Sequence, residues 1–404
     1  MTQNQILTSS DHHANWEALE AIFKVAKEKE IPLVINGDII GDYNFEELAQ
    51  KLNLQFPYEI TTKKLQENLE KEELEYLSTF EQLQQTRGNI EPFLKQIPQE
   101  HHEKAKEQFQ KVIEYIQSEQ FQIKYNNLKE NILKDNQHII SENKIKLRAL
   151  YSIIVKEHAK LLTNLIQKYK VETYFVLGNH EPAYFSSLVK EYLEPKNKHL
   201  LIDLNRTQGT INVNGINIVA VSNVKALMPF LNELYKPSEL NKLFPHQMGS
   251  EREILFNNVN QEEANQENEN LEQDFDWMRI VKHESFNEKY IDVFFSHGQI
   301  GRGSWRDDKH ANEMPTLRVA AYLSNLAKIT VDGHLHTTHK MTNPLGKQTI
   351  RAVGDKAYLL TKNNQGEIET ELIETGAPYH HRGQLDFTDF EELNKQIISE
   401  IFTK

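Results

Sequence analysis

The stretch TSSDHHANWEALEAIF, residues 8–23, sets an Asp and two His between an apolar segment and an amphipathic one. Upstream, NQILTSS reads as a strand. Downstream, ANWEALEAIFKVAKEKE carries apolar residues at helical spacing (Trp16, Leu19, Ile22, Phe23, Ala26), and IPLVING follows as a buried strand. Strand, helix and strand in this order make a βαβ-like unit, which implies a largely parallel inner sheet. The polar cluster then falls where ligands bind in such sheets, at the carboxyl end of a strand. Two readings of it compete: three adjacent letters, Asp11-His12-His13, or an alternating pair, Asp11-x-His13, with His12 as a spacer on the opposite face of the strand.

Further along, the character changes. From about residue 45 to 143 the chain is rich in Gln, Glu, Lys and Asn with a thin apolar stripe, as in KKLQENLEKEELEYLSTFEQLQQ, and reads as long amphipathic helices. The helix NKIKLRALYSIIVKEHAKLLTNLIQKYK then leads into the strand VETYFVLG, so the alternation resumes as if a helical segment had been inserted into it. Residues 171–376 continue with a helix near FSSLVKEYL, the strand HLLIDL, a hairpin turning at Asn214-Gly215, and an irregular stretch from about 236 to 288 that holds the polar NNVNQEEANQENENLEQDFD. The strand YIDVFFSHG, the helix MPTLRVAAYLSNLA and the strands KITVDGHLH, QTIRAVGD and KAYLLTKN come next, and the helix DFEELNKQIISEIF closes the sequence.

Composition narrows the chemistry. The 404 residues are 38% apolar and 26% charged with a formal charge of -13, which disfavours a protein that coats nucleic acid through clustered Lys and Arg. The start MTQNQILTSS lacks the pattern of a secretory signal, and IPLVI and IDVFF are too short to span a bilayer, so the expected setting is cytoplasmic. With no Cys, thiolate sites and cysteine nucleophiles are excluded, and a metal must be held by His, Asp, Glu or Asn.

Four more stretches share the placement of the opening one, each where an apolar strand runs out into a loop: INGDIIGDY with Asp38, VLGNHE with Asn179 and His180, FFSHG with His297, and VDGHLH with His334 and His336. Each alone is as well explained by an ordinary polar turn. Together, in one order, they assemble hard oxygens and imidazoles, which suit Mn, Fe, Zn and similar ions. In GHLH, strand alternation would point both rings to one side.

The order Asp-x-His, Gly-Asp, Gly-Asn-His-Glu, His-Gly and Gly-His-x-His resembles the calcineurin-like metallophosphoesterase superfamily, over nearly the whole chain outside the helical segment. The family of phosphoesterases named for its DHH triplet places that triplet well into its domain, whereas only ten residues precede Asp11, so the alternating reading is preferred. The resemblance implies a four-layered α/β/β/α core in residues 1–44 and 144–376, a helical insertion at 45–143 acting as a cap or interaction arm, and a C-terminal extension at 377–404. It implies two divalent metal ions, Mn first and Fe, Zn, Ni or Mg as alternatives. Asp38 would bridge them, with Asp11, His13 and His336 completing one and Asn179, His297 and His334 the other. His180 would be catalytic, touching the phosphate or protonating the leaving oxygen. Two such ions lower the pKa of a bridging water and clamp the phosphate during in-line attack.

Within this resemblance there are departures. Ala14 stands where relatives often carry Gly, Gly41 where many carry a second Asp, with Asp42 displaced by one, and Tyr43 and Asn44 where protein serine/threonine phosphatases carry an Arg. The loop HGQIGRGSWRDDKH offers Arg302 and Arg306 for a further phosphate and Trp305 for a base. The expected activity is metal-dependent hydrolysis of a phosphate ester. A phosphodiesterase on a nucleotide-like small molecule is placed first, then a phosphomonoesterase acting on metabolites or proteins, then a nuclease. Expected partners are the ester substrate and, through the insertion, a second copy or another protein, with neither membrane nor long nucleic acid. The reading from another class is a non-catalytic interaction protein that works through its helical arm.

Overall fold

The computed structural model describes residues 4–41, 45–85, 90–95, 97–207, 209–221, 231–243, 290–297, 326–334, 336–342, 347–380, 387 and 389–402. It divides into one unit of residues 1–52 with 149–404 and a second of residues 53–148.

The first unit is mixed α/β, with two six-stranded sheets. In sheet order, one runs β12 (Ile368–Glu374), β11 (Lys356–Lys362), β1 (Asn4–Ser9), β2 (Leu33–Asn36), β3 (Thr173–Val176), β4 (Leu201–Asp203). β1 to β4 are parallel, and β11 and β12 add antiparallel partners. The other runs β5 (Ile211–Val213), β6 (Ile216–Val221), β7 (Val293–Ser296), β8 (Ile329–Val331), β10 (Gln348–Arg351), β9 (His339–Thr342), parallel from β6 to β10, with antiparallel outer strands. β9 and β12, absent from the sequence reading, are outer strands of the described sheets and carry few buried positions to mark them.

One apolar cluster joins the two sheets: Ile6, Val34, Tyr174 and Val176 from the first meet Ile218, Val293, Phe295, Ile329, Val331 and Ile350 from the second. Leu7, Leu33, Ile35 and Phe175, one position along, are also buried, so the inner strands are covered on both faces, which is why they read as unbroken apolar runs. Removing one such side chain, as in Phe295→Ala, costs about 3–5 kcal/mol. Helix α1 (Trp16–Lys29) buries Ala18, Leu19, Ile22, Phe23 and Ala26 and ends on Glu30 in the left-handed region at φ 53°. The Asn214-Gly215 hairpin forms as its sequence requires, both residues at positive φ. Within the stretch expected to be irregular from 236, Pro237–Leu243 is a short helix. The remainder of that stretch up to 289, and the helix MPTLRVAAYLSNLA except for its last two residues, lie outside the described residues.

The second unit is helical: Pro57–Asn68, Lys71–Gln85, Glu91–Leu94, His102–Gln117 and Glu119–Asp135, followed by the start of the 33-residue helix Gln137–Tyr169. Thin stripes give it two small clusters, one around Leu65, Leu69 and Ile132, the other around Val112, Ile116 and Phe121. Among the described residues no helix is long and apolar enough to cross a membrane.

Candidate metal centre

The ligand-bearing loops leave the carboxyl ends of neighbouring strands. β1 ends at Ser9 and β2 at Asn36, and beyond them the backbones stay bonded: Asp11 N–H donates to Gly37 O (3.1 Å), His13 N–H to Asp38 O (2.8 Å) and Ala14 N–H to Ile39 O (2.7 Å). This corrects the view of Asp11-x-His13 as a pleated pair. Asp11, His13 and Ala14 have φ of 53°, 42° and 62°, so the chain is out of the strand, and a left-handed turn, not alternation, sends His12 away. The same holds for Gly-His-Leu-His: β8 ends at Val331 and His334 sits at φ 71° in a loop. Left-handed backbone at so many non-glycine positions is costly and persists only where surrounding contacts fix it.

Those contacts are specific. Asn15, at the head of α1, makes no cap bond to the helix; its side-chain amide donates to the carbonyls of His12 (2.6 Å) and His13 (3.3 Å). Gly178 must lack a side chain because a Cβ there would collide with the Asp38 carboxylate. His334 N–H donates to Asp11 Oδ1 at 2.7 Å and His180 N–H to Asp38 Oδ1 at 3.2 Å, so two candidate ligands are held by the backbone of other ligand loops.

Two groups of donors result. Asp11, His13, Asp38 and His336 bring ligand atoms within 4.8 Å of one another, and so do Asp38, His297 and His334; Asp38 belongs to both. Asn179 joins the second group, its Oδ1 lying 3.2 Å from His297 Nε2 and 3.0 Å from His334 Nδ1. His180 stands at the edge, Nε2 3.9 Å from Asp38 Oδ2 and its ring 4.8 Å from that of His13. All seven residues expected as ligands, and His180, are therefore brought together. Arg302, Arg306, Trp305 and Asp42 lie outside the described residues.

The electrostatics call for a cation. His297 Nδ1 donates to Asn36 O at 2.6 Å, which leaves the lone pair of Nε2 facing Asp38 Oδ2 at 3.0 Å and Asn179 Oδ1 at 3.2 Å. Three acceptors so close repel unless a positive charge lies among them. With protein charges alone that charge is a proton: burial pushes His297 down, but the neighbouring Asp38 carboxylate outweighs it and takes the pKa up to about 9. Burial would raise Asp38, yet His297 and then His180 hold its carboxyl well below the usual range. His13, buried among His180, His336 and His297, is pushed well below 6.5 and stays neutral, the form that ligates metal. Asp11 Oδ2 is buried with no hydrogen-bond partner among the described residues. Oxygen and imidazole donors with these unmet demands fit a metal ion.

Three buried residues had no role in the sequence reading. Glu181 accepts backbone N–H groups from both the Asp38 and Gly178 loops, and burial, then the Asp38 charge, raise its pKa to about 6. His158 donates through Nδ1 to Ile154 O at 2.8 Å and accepts the Gly41 N–H on Nε2 at 3.3 Å; burial lowers it to about 4. Asn36 donates to Ser296 O at 3.1 Å, tying β2 to the end of β7. The final Glu of Gly-Asn-His-Glu was the one visible signal among them.

No family model matches the chain, and no curated protein does. Among solved structures, one aligns over 91% of this chain and 98% of its own at 11% identity, with a TM-score of 0.39. Another, a Staphylococcus aureus protein described only as a candidate 5'-nucleotidase, in complex with alpha-ketoglutarate, aligns over 60% of this chain and 44% of its own at 12% identity, with a TM-score of 0.29. At these scores neither likeness carries weight for this chain, and the functional reading rests on the side chains themselves.

Proposed function

We propose that the chain is a metal-dependent phosphoesterase of the calcineurin-like type. The observation that carries this reading is the sharing of Asp38 between two donor groups whose lone pairs demand positive charge. Asp11, His13 and His336 would hold one divalent ion, Asn179, His297 and His334 the other, with Asp38 common to both. Bound there, such ions supply Lewis acidity and an activated water for attack on phosphorus.

The chain's own residues do the rest. Among the described residues Asp11 and Asp38 are the carboxylates of the donor groups, so two divalent ions held there would leave a net positive field to draw a phosphate ester into an otherwise acidic protein. His180, almost fully buried at the edge of the pair, is placed to donate a hydrogen bond to a phosphoryl oxygen or a proton to the leaving oxygen. Its backbone N–H bonds Asp38 Oδ1, which fixes the main chain that carries the buried imidazole. Within the class, a diesterase acting on a nucleotide-like molecule is preferred, with Arg302 and Arg306 as binders of a further phosphate. The four-layered α/β/β/α core in 1–44 and 144–376 and the insertion at 45–143 belong to the same reading.

The test is hydrolysis of an aryl phosphate diester beside the matching monoester by metal-stripped protein reloaded with Mn, with His180→Ala alongside. Cleavage of either ester that depends on Mn and falls in His180→Ala supports the reading, and the preferred ester fixes the subclass. Folded, Mn-loaded protein that cleaves neither would overturn it in favour of an interaction protein.

A further inference from the structure

Glu181 is fully buried one residue beyond His180, and it is not among the donors that face the site. Its Oε1 accepts from Ile39 N–H (2.7 Å) and Ile40 N–H (2.9 Å), its Oε2 from Asp38 N–H (3.0 Å) and Gly178 N–H (2.8 Å). A carboxylate offers about four lone-pair positions. All are used on backbone, so Glu181 has none left for an ion.

The donors come from two different loops. Three belong to the turn that presents Asp38, where Gly37 and Asp38 stand at φ 81° and 54°. Successive N–H groups in such a turn converge into a concavity that takes an anion. The fourth belongs to the loop that presents Asn179 and His180. One side chain thus fixes the spacing between the shared carboxylate and the amide that completes the second donor group. Charge-assisted bonds to four N–H groups offset the cost of burying the carboxylate and of holding Asp38 in the left-handed region. No other side chain does the same: Gln would turn an NH2 towards two N–H donors, and Asp is one methylene too short to reach both loops.

We propose that Glu181 is a positioning residue that assembles the Asp38 and Asn179 loops into their metal-accepting register before any ion binds. This rests on the metal centre proposed above, whose ligands it does not join. Without the clamp the ligands remain but are correctly placed in only a fraction of molecules, which lowers apparent metal affinity by that fraction. Both donor groups suffer together, because Asp38 serves both.

The experiment titrates Mn into metal-stripped full-length wild type and Glu181→Gln by calorimetry at pH 8, well below either melting temperature. Amide exchange at Asp38, Ile39 and Ile40 is followed in the stripped wild type. The expected result is a loss of Mn affinity in Glu181→Gln of about 10–100-fold at every site the wild type shows, as for other residues that orient metal ligands. Saturating Mn should restore hydrolysis to within a few-fold of wild type, since no ligand or reacting group has gone. The three amides should be protected in the stripped wild type. A lower melting temperature with Mn affinity unchanged in the folded protein would reduce Glu181 to a fold-stabilising residue and overturn the proposal. Unprotected amides would overturn it too, and they decide the matter if Glu181→Gln does not fold. Wild type that binds no Mn, with the amides protected and no change in hydrolysis, would instead bring down the metal centre and leave the clamp between loops standing.

Discussion

The loops around Asp38 and the helical unit of residues 53–148 use the same kinds of polar groups to opposite ends. In the loops, side chains bond across long sequence separations to backbone in left-handed conformations: Glu181 accepts the Asp38 N–H and Asp11 the His334 N–H. In the helical unit most pairs lie three or four residues apart on exposed helix faces, as Lys64 with Glu67 and Lys106 with Glu103. Such exposed pairs contribute little to stability. The exception is Glu73, nearly buried, which accepts from Lys124 Nζ (2.6 Å), Tyr115 Oη (3.0 Å) and the backbone of Glu70 (3.0 Å). The loops hold costly geometry for chemistry, while the helical unit follows local propensity and closes on two small apolar clusters.

The largest effect is expected at Asp38. Asp38→Asn keeps the shape of the bridging side chain but removes the charge both donor groups share. Hydrolysis should fall by more than about 100-fold, beyond the loss usual for a residue that only orients a ligand, and Mn stoichiometry should drop with it. A variant with near wild-type turnover would show that the two groups do not act as a pair.

The next effect is set by pH. Burial lowers His158 in the folded protein to about 4, whereas the unfolded chain takes up the proton near 6.5. The stability it confers is complete above 6.5 and is lost as the pH falls to about 4, roughly 3 kcal/mol in all. Urea unfolding of His158→Gln between pH 6.5 and 4.5 should show a slope shallower than wild type by about 1.4 kcal/mol per pH unit. Equal slopes would mean that His158 is not buried neutral against the Gly41 loop.

Within the helical unit, Glu73→Ala should destabilise by about 1–2 kcal/mol, the scale of lost charge-assisted bonds discounted for the partly exposed Lys124. Limited proteolysis should find the cuts confined to residues 53–148, and kcat should stay at the wild-type value. The smallest effect is expected at Ala14, whose φ of 62° disfavours a methyl group. Ala14→Gly relieves that strain but adds chain entropy to the unfolded state, for a net gain of up to about 1 kcal/mol in thermal unfolding. A loss there would mean that the Ala14 methyl, which a side chain at Gly41 would touch, fills space the loop needs.

Strands, the first helix and the order of the ligand loops follow from local pattern in the chain. The apolar runs before Asp11, Asp38, Asn179, His297 and His334 each formed a strand, and the spacing of Leu19, Ile22, Phe23 and Ala26 gave α1 its buried face. Strand ends in a parallel sheet all open to one side, so the ligand loops could be named from their places in the chain, whereas their meeting at one spot depends on the packing of the two sheets. Only the tertiary structure decided how those ligands are held. That Asp11, His13 and His334 leave the pleat for left-handed turns depends on bonds to loops 25 to 323 residues away, such as His13 to Asp38 and His334 to Asp11, which no local window contains. His158 and Asn36 were silent for the same reason, and Glu181 showed only as the last letter of Gly-Asn-His-Glu. A buried polar side chain takes its meaning from the partners that burial leaves it, and those partners are set by the packing of β2, β3, β7 and the helix Gln137–Tyr169.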